Sequence, residues 1–571
     1  MFELGLPTSG SFAINTKFQY NNFYYGGFAQ DDWKALPTLT ISIGLRLEAE
    51  TPVDESHNQM QVGWNPTAPN SATAAALANY TAAPSTYLPV SSFVPTGQYI
   101  YASPSRRGAY NTAPLYVSPR LGFAYSPAFS HGTLAIRGGS GVYVNPFGDY
   151  TAGNSNGYTQ TTSLITTQNN FLTPAGTLSD PFDPATNPIV QPVGPGYGYN
   201  TELGQGLSFI GPVKVPYAIK WTLDVEKQFY KSWMFEVGYI GVHQVHNNFN
   251  NQISSSPTVQ YLSHSQYGAS APNGLGATTS AAQTLLSTSV TNPFYGTMNV
   301  AGPAATTSLN TSTSIGLGQL LQAYPDYSSV TQELSPGASG NFNALLVKLT
   351  HRMAQGLQFT FNYEHSRNLG STTQLNAGGP LWYGETTSDF ADHASLTAIY
   401  QLPFGRGRRF LNHSKVWDET VGGWSLTTIY QTLSGTPLQW STNPVYTGNF
   451  RNFDNHPHNG QQTPSFSPAG FDTPVTDNAN YSYDAPGTYN YRTFPEYLLR
   501  SDPTKNFDFS ILKNFTLYDR IILQPRVDAF NAFNRPQFGS ANVTPTSSAF
   551  GVITSQLNSG RQLQGGIHLT F

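Results

Sequence analysis

The chain has 571 residues, a formal net charge of −4 and no cysteine. Charged residues make up 10% of it, against roughly 25% in ordinary soluble proteins, while aromatic residues reach 13%. These values exclude a disulfide framework or thiolate metal site and argue against a general attraction to nucleic acid. They also separate the chain from disordered sequences, which are poor in aromatics.

No segment approaches the roughly 18 consecutive apolar residues of a transmembrane helix. A membrane barrel strand alternates apolar and polar residues and never looks hydrophobic as a whole, so this does not exclude a barrel. Met1-Phe2-Glu3-Leu4-Gly5-Leu6-Pro7 has no basic region, apolar core or cleavage site, unlike a signal peptide. A barrel needs export. The expectation is therefore a chain lacking its true beginning, through a truncated gene, a mis-set start or a split reading frame.

In chain order, a strand is expected over 23–34, followed by Thr38–Glu50. In the second, Leu39, Ile41, Ile43, Leu45 and Leu47 share one face, opposite Thr38, Thr40, Ser42, Gly44, Arg46 and Glu48. Successive strand side chains point to opposite faces, so this is one apolar and one polar wall. A polar stretch of about 65 residues follows. Further pairs are expected at Val117–Ser126 with Thr133–Asn145, Tyr217–Phe229 with Trp233–His246, and Phe342–Arg352 with Leu357–Leu369. Next come Ala391–Phe404, Trp424–Trp440, Phe507–Phe515 and Arg520–Phe533. The last twelve residues, from Gly560, form a strand with Leu563, Ile567, Leu569 and Phe571 on one parity and Gln562, Gln564, His568 and Thr570 on the other.

The thirteen expected strands are joined by connections that alternate between short and long. Structureless loops beyond about 15 residues are uncommon in compact domains, whereas outer-membrane barrels pair short periplasmic turns with long extracellular loops. The segment 405–423 fits least well, being long for a periplasmic turn. Leu39, Ile41, Ile43, Leu45, Phe359, Phe361, Leu523, Ile567 and Leu569 are expected to project outward, with Arg46, Asn362, Arg526 and His568 inward. Helices are expected to be few and confined to the long loops. Trp33, Trp221, Trp233 and Trp424 read as strand-end residues of an interfacial girdle, the alternative being the core of a sandwich.

Several segments, taken in order, resemble a known family. Phe28-Ala29-Gln30-Asp31-Asp32-Trp33-Lys34 followed by Leu39 to Leu47 is similar to a segment of TonB-dependent receptors, and more closely to their Oar-like group of the Acidobacteria type. Ser118-Pro119-Arg120-Leu121-Gly122-Phe123-Ala124-Tyr125, Ala135 to Tyr143, Ala529-Phe530-Asn531-Ala532-Phe533-Asn534 and the terminal Phe571 resemble the same group. The resemblance covers most expected strands and none of the long loops. It implies an all-β, transmembrane antiparallel β-barrel of about 22 strands with an internal plug. About thirteen of those strands are expected over residues 1–571, the carboxyl-terminal part of the barrel, with no signal peptide, regulatory domain or plug. It further implies uptake of an extracellular nutrient, carbohydrate or peptide, in the outer membrane. Its partners would be outer-membrane lipid, the barrel-assembly machinery acting on Phe571, and the TonB complex where a plug and TonB box exist upstream.

No catalytic constellation, cofactor site or nucleic-acid site is identified. Gly138-Gly139-Ser140-Gly141 lies in a strand with no helix after it, so it reads as a bend or close packing and not a phosphate loop. Asp454, His456 and His458 have a spacing that could hold a metal, but read as solvated loop residues. Arg406-Gly407-Arg408-Arg409 reads as a solvated or headgroup-contacting turn. Glu55 and His57 have no identifiable partner. Arg46, Glu48, Arg137, Glu236, Lys348, Glu364, Arg526 and Asp528 are expected to line the lumen, hydrating the wall and contacting a plug. The function alternative to transport is a surface-binding or adhesive protein that uses the barrel as an anchor, and a soluble secreted β-protein comes third.

Overall fold

The computed structural model describes residues 3, 5–111, 115–147, 157–167, 169, 172–195, 203–255, 285–298, 307–374, 381–411, 415–438, 445–446, 466, 471–472, 499–518, 520–544 and 547–571. Thirteen strands form one antiparallel meander in which each pairs with its neighbour in sequence. They are β1 (Tyr24–Leu36), β2 (Leu39–Glu50), β3 (Tyr116–Tyr125), β4 (Leu134–Val144), β5 (Tyr217–Phe229), β6 (Trp233–Ser254) and β7 (Ser329–Ala354). The rest are β8 (Leu357–Gln374), β9 (Asp392–Gln401), β10 (Trp424–Leu433), β11 (Thr504–Lys513), β12 (Ile521–Phe530) and β13 (Gln562–Thr570). Three short strands bring the sheet to 16: Gly206–Ile210 on β7, Leu381–Glu385 on β8 and Phe515–Tyr518 on β12.

The registers carry face identity from strand to strand. Leu39, Ile41, Ile43 and Leu45 share a face with Phe359, Phe361, Leu523, Ile567 and Leu569, while Arg46, Asn362, Arg526 and His568 share the other. Among the described residues no second sheet covers these apolar side chains: Ile43 is 55% exposed and Ile567 74%. Such a face belongs against lipid. Its height can be read from the girdles. At the turn end, Phe229 stacks with Trp233, which meets His351 at 4.5 Å and Phe359 at 5.4 Å. Toward the loop end, the Tyr239 hydroxyl donates to Asn343 at 2.7 Å and the Tyr363 hydroxyl to Asp392 at 2.6 Å. From His351 to Asn343 a tilted strand climbs about 20 Å, close to the apolar band of a barrel wall.

The turns are short for local reasons. Gln355 (φ 53°) and Gly356 (φ 83°) join β7 to β8 with positive φ at both positions, the hairpin geometry that matches strand twist. The connection from β9 to β10 is longer because it holds the helix α1 (Lys415–Val421), so helices are not confined to the long loops. Trp221 is not at a strand end. It pairs with Gly241 and Ser140 in mid-strand on the apolar face, where its indole occupies the space a Cβ on Gly241 would need. β6 and β7 extend well past the expected His246 and Phe342. Beyond the bilayer the face alternation stops while the backbone pairing continues, so periodicity alone underestimates their length. β10 ends at Leu433, and Trp440 lies outside the described residues.

The buried cores lie in the long connections. Ala76, Tyr80, Phe93, Leu207, Phe294, Leu317 and Tyr327, from the connections after β2, β4 and β6, form one cluster. Trp64 stands beside it, stacked on Phe209 at 5.8 Å and edge-on to Tyr327 at 5.6 Å. Leu438, Phe466, Leu499, Ala541, Phe550 and Ile553 form a second cluster after β10 and β12. The expected structureless loops therefore pack, over much of their described length, into a cap at one end of the wall. β1 and β13 both run from this cap toward the turn end, and they do not pair with each other among the described residues.

Candidate functional site

The polar face of the wall, under the cap, is the candidate site. Each of its side chains sits where strand pleating and register put it. All eight residues expected in the lumen fall on this face. Lys348 stands opposite Glu236 and Asn362, and Leu346 opposite Glu364. Asp528 faces Ser510 and Gln564.

Most of the charges are paired with one another. Arg46 holds Glu48 at 2.8 Å, and Glu48 also accepts hydrogen bonds from Tyr24 and, at 3.2 Å, from Ser118. Arg137 reaches across to Glu226 at 3.0 Å, and Lys348 to Glu236 at 3.6 Å. Glu226 and Glu236 are direct cross-strand partners, so the two cations offset a like-charge contact between them. Arg526 grips Asp528 with its shortest contact at 2.6 Å. Glu364 stands beside His393. Exposed pairs of this kind contribute about 0–1 kcal/mol each. Their effect is to leave this part of the wall nearly neutral.

One part of the face is different. Arg120, Gly141 and Lys220 lie in one register row across β3, β4 and β5. The Arg120 guanidinium lies 4.7 Å from the Tyr143 ring centre and the Lys220 ammonium 5.1 Å from it. Beside them is a depression of about 320 Å³ floored by Gly44, Gly122 and Gly139. Sequence reasoning singled out neither cation, because the lack of a carboxylate partner exists only in three dimensions. Tyr24, Ser118 and Glu226 were not singled out either, because their contacts to Glu48 and Arg137 cross between strands far apart in sequence.

The other sequence candidates resolve individually. The Gly138–Gly141 run is close packing: a Cβ at Gly138 would fall 2.7 Å from the Phe123 ring, and one at Gly139 3.0 Å from the Leu121 carbonyl oxygen. Arg408 donates to Gln401 at 2.7 Å and Arg409 lies over Phe410, so this basic turn is folded onto its own connection. Asp454, His456 and His458 lie outside the described residues, among which no group of three metal-ligating side chains occurs.

Glu55 and His57 do have partners. The Glu55 carboxylate is buried and accepts backbone N–H donors from Gln19 at 3.2 Å, His57 at 2.8 Å and Gln59 at 2.7 Å, with the His57 ring at 3.4 Å. Burial pushes its pKa up, but the Gln59, Gln19 and His57 N–H groups outweigh this and hold it below the ordinary carboxylate range. A second charged cluster lies at the loop ends of β8 to β11. There Arg500 contacts both Glu385 and Asp389, and Arg367 holds Glu385 at 2.7 Å.

Comparison with known proteins supplies the family. The model of the outer membrane beta barrel domain matches residues 1–564, and the chain belongs to that family. Its place is the bacterial outer membrane. No curated protein matches its sequence. Among solved structures it is similar to the ferric citrate transporter FecA in the unliganded form, at 9% identity and a TM-score of 0.35, covering 97% of this chain and 45% of that one. The copper transporter OprC gives 9% identity and a TM-score of 0.35, covering 97% and 50%. The outer membrane transporter YddB from Escherichia coli gives 7% and 0.34, covering 97% and 55%. The chain thus spans about half the length of these structures.

Proposed function

We propose that the chain forms wall and surface cap of an outer-membrane transport receptor that takes up an extracellular nutrient, a carbohydrate or a peptide. The observation that carries this reading is that the wall's ion pairs, from Arg46 on β2 to Asp528 on β12, share one face, lying beneath a folded cap. In this reading the polar face is the lumen, the cap is extracellular and the short turns are periplasmic. A plug and a TonB box, where present, would couple it to the TonB complex. Tyrosine and asparagine on the cap suit sugars and peptides alike, through stacking and hydrogen bonding.

The test is uptake of labelled oligosaccharides and peptides by cells with and without the gene. Loss of uptake of one class on deletion is the expected result. Intact uptake with lost attachment of cells to a surface would overturn the reading in favour of an adhesive anchor.

A further inference from the structure

Arg120 and Lys220 stand two strands apart in the same register row, which places their backbones about 10 Å from each other. Gly141 lies between them and carries no side chain. Tyr143, two residues along the same face, leans over Gly141, whose Cβ would fall 3.2 Å from the tyrosine ring and 3.1 Å from Arg120. Both cations are exposed, and among the described residues neither reaches a carboxylate. Of the acids nearby, Asp32 keeps its charge and accepts from Ser42 at 2.5 Å, while Glu48 is taken by Arg46, Tyr24 and Ser118. Asp224 lies two rows away, opposite Arg137.

Arg46, Arg137, Lys348 and Arg526 on this face each meet an acid, whereas this row carries two positive charges with no acid in contact, beside a depression. Gly44, Gly122 and Gly139 remove side chains from its floor, so a flat molecule can approach the backbone of the sheet. Gln30, Ser42 and Thr222 surround that floor with hydrogen-bonding groups. We infer that this is a binding station for a carboxylate-bearing, hydroxylated solute such as a sugar acid. Its carboxylate would meet Arg120 and Lys220 on the depression side of the Tyr143 ring, with its own ring on the glycine floor. The inference rests on the polar face being the aqueous lumen, and it narrows the nutrient class to one carrying negative charge.

The probes are glucuronate and glucose, titrated calorimetrically against the full chain reconstituted in liposomes at low salt. Saturable binding of glucuronate and none of glucose is expected. Arg120→Gln and Lys220→Gln should each weaken glucuronate binding about tenfold, the loss of one charge-assisted contact. Arg408→Gln removes a cation that donates to Gln401 at the β9 to β10 connection, away from the depression, and should leave binding unchanged. Equal binding of both sugars, no binding of glucuronate, or an equal loss in Arg408→Gln would each overturn the site. The chain has no cysteine, so Lys220→Cys labelled with a membrane-impermeant maleimide separates the two readings. Labelling without glucuronate binding sinks the station alone. Failure to label sinks the lumen reading and the station with it.

Discussion

Glu55 offers the sharpest test of how the cap is held. Its buried carboxylate closes a clasp: Tyr20–Asn21 pairs with Asp54–Glu55, tying the segment before β1 to the connection after β2. In Glu55→Gln the amide oxygen can keep the His57 and Gln59 N–H donors, but the new NH₂ group then faces the Gln19 N–H. One donor is left unpaired and two charge-assisted bonds become neutral. The cost works out at about 2–4 kcal/mol. The wild type should show a matching pH dependence. The folded pKa is depressed, so the stabilisation is complete above the unfolded carboxylate range, about pH 4–5, and is lost as pH falls through the folded value. Hydrogen exchange over residues 51–62 reads both effects. Faster exchange in Glu55→Gln at pH 7, with a flattened acid response, is expected. Wild-type protection and an unchanged acid response in the variant would refute the clasp.

Three further predictions follow from the geometry. Arg500→Gln leaves Glu385 and Asp389, both buried, without their shared cation, and should destabilise the loop ends of β8 to β11 by about 3–5 kcal/mol, read as new protease sites around 381–391. Gly241→Ala puts a Cβ 2.0 Å from the Trp221 ring and should cost about 1–3 kcal/mol in urea unfolding from liposomes; Trp221→Ala in the same chain should recover most of it. Phe571 is 93% exposed and makes no protein core, so its deletion should barely change the stability of folded protein. If the assembly machinery reads it, deletion should still sharply lower the heat-modifiable, inserted fraction in cells when the chain is expressed with a signal peptide.

The wall was legible in the sequence because two constraints act on it at once. Lipid demands an apolar residue at every second position, and the backbone must pair throughout, so Leu39 to Leu47 announces its strand and its faces together. Outside the bilayer the first constraint disappears. That is why Ser329–Asn341 of β7 and Asn247–Ser254 of β6 were not read as strands although their backbones pair. The cap was illegible for a related reason. Its cores draw single residues from connections far apart in sequence, such as Tyr80, Phe93, Leu207 and Tyr327, and no local period marks them. At the site, parity gave the face of each charge but not its partner. Arg120 and Lys220 look no different in sequence from Arg137, which has found its acid.

Two solvents therefore hold two parts of this molecule by different means. The wall strands are tied by backbone hydrogen bonds, with apolar side chains turned toward lipid, so wall stability depends on register and on close contacts such as Trp221 over Gly241. The cap faces water and is held as a soluble domain is, by buried aromatics and by carboxylates such as Glu55 and Asp389 whose partners are built in. Perturbing Glu55 or Arg500 should open the cap and leave insertion intact, whereas Phe571 should act on insertion and leave the cap folded. The polar face belongs to neither regime. Its paired charges add little stability, yet eight of them were placed on one side of the sheet across strands separated by hundreds of residues. Register and strand pleating, and not the energy of these pairs, account for their sharing one face.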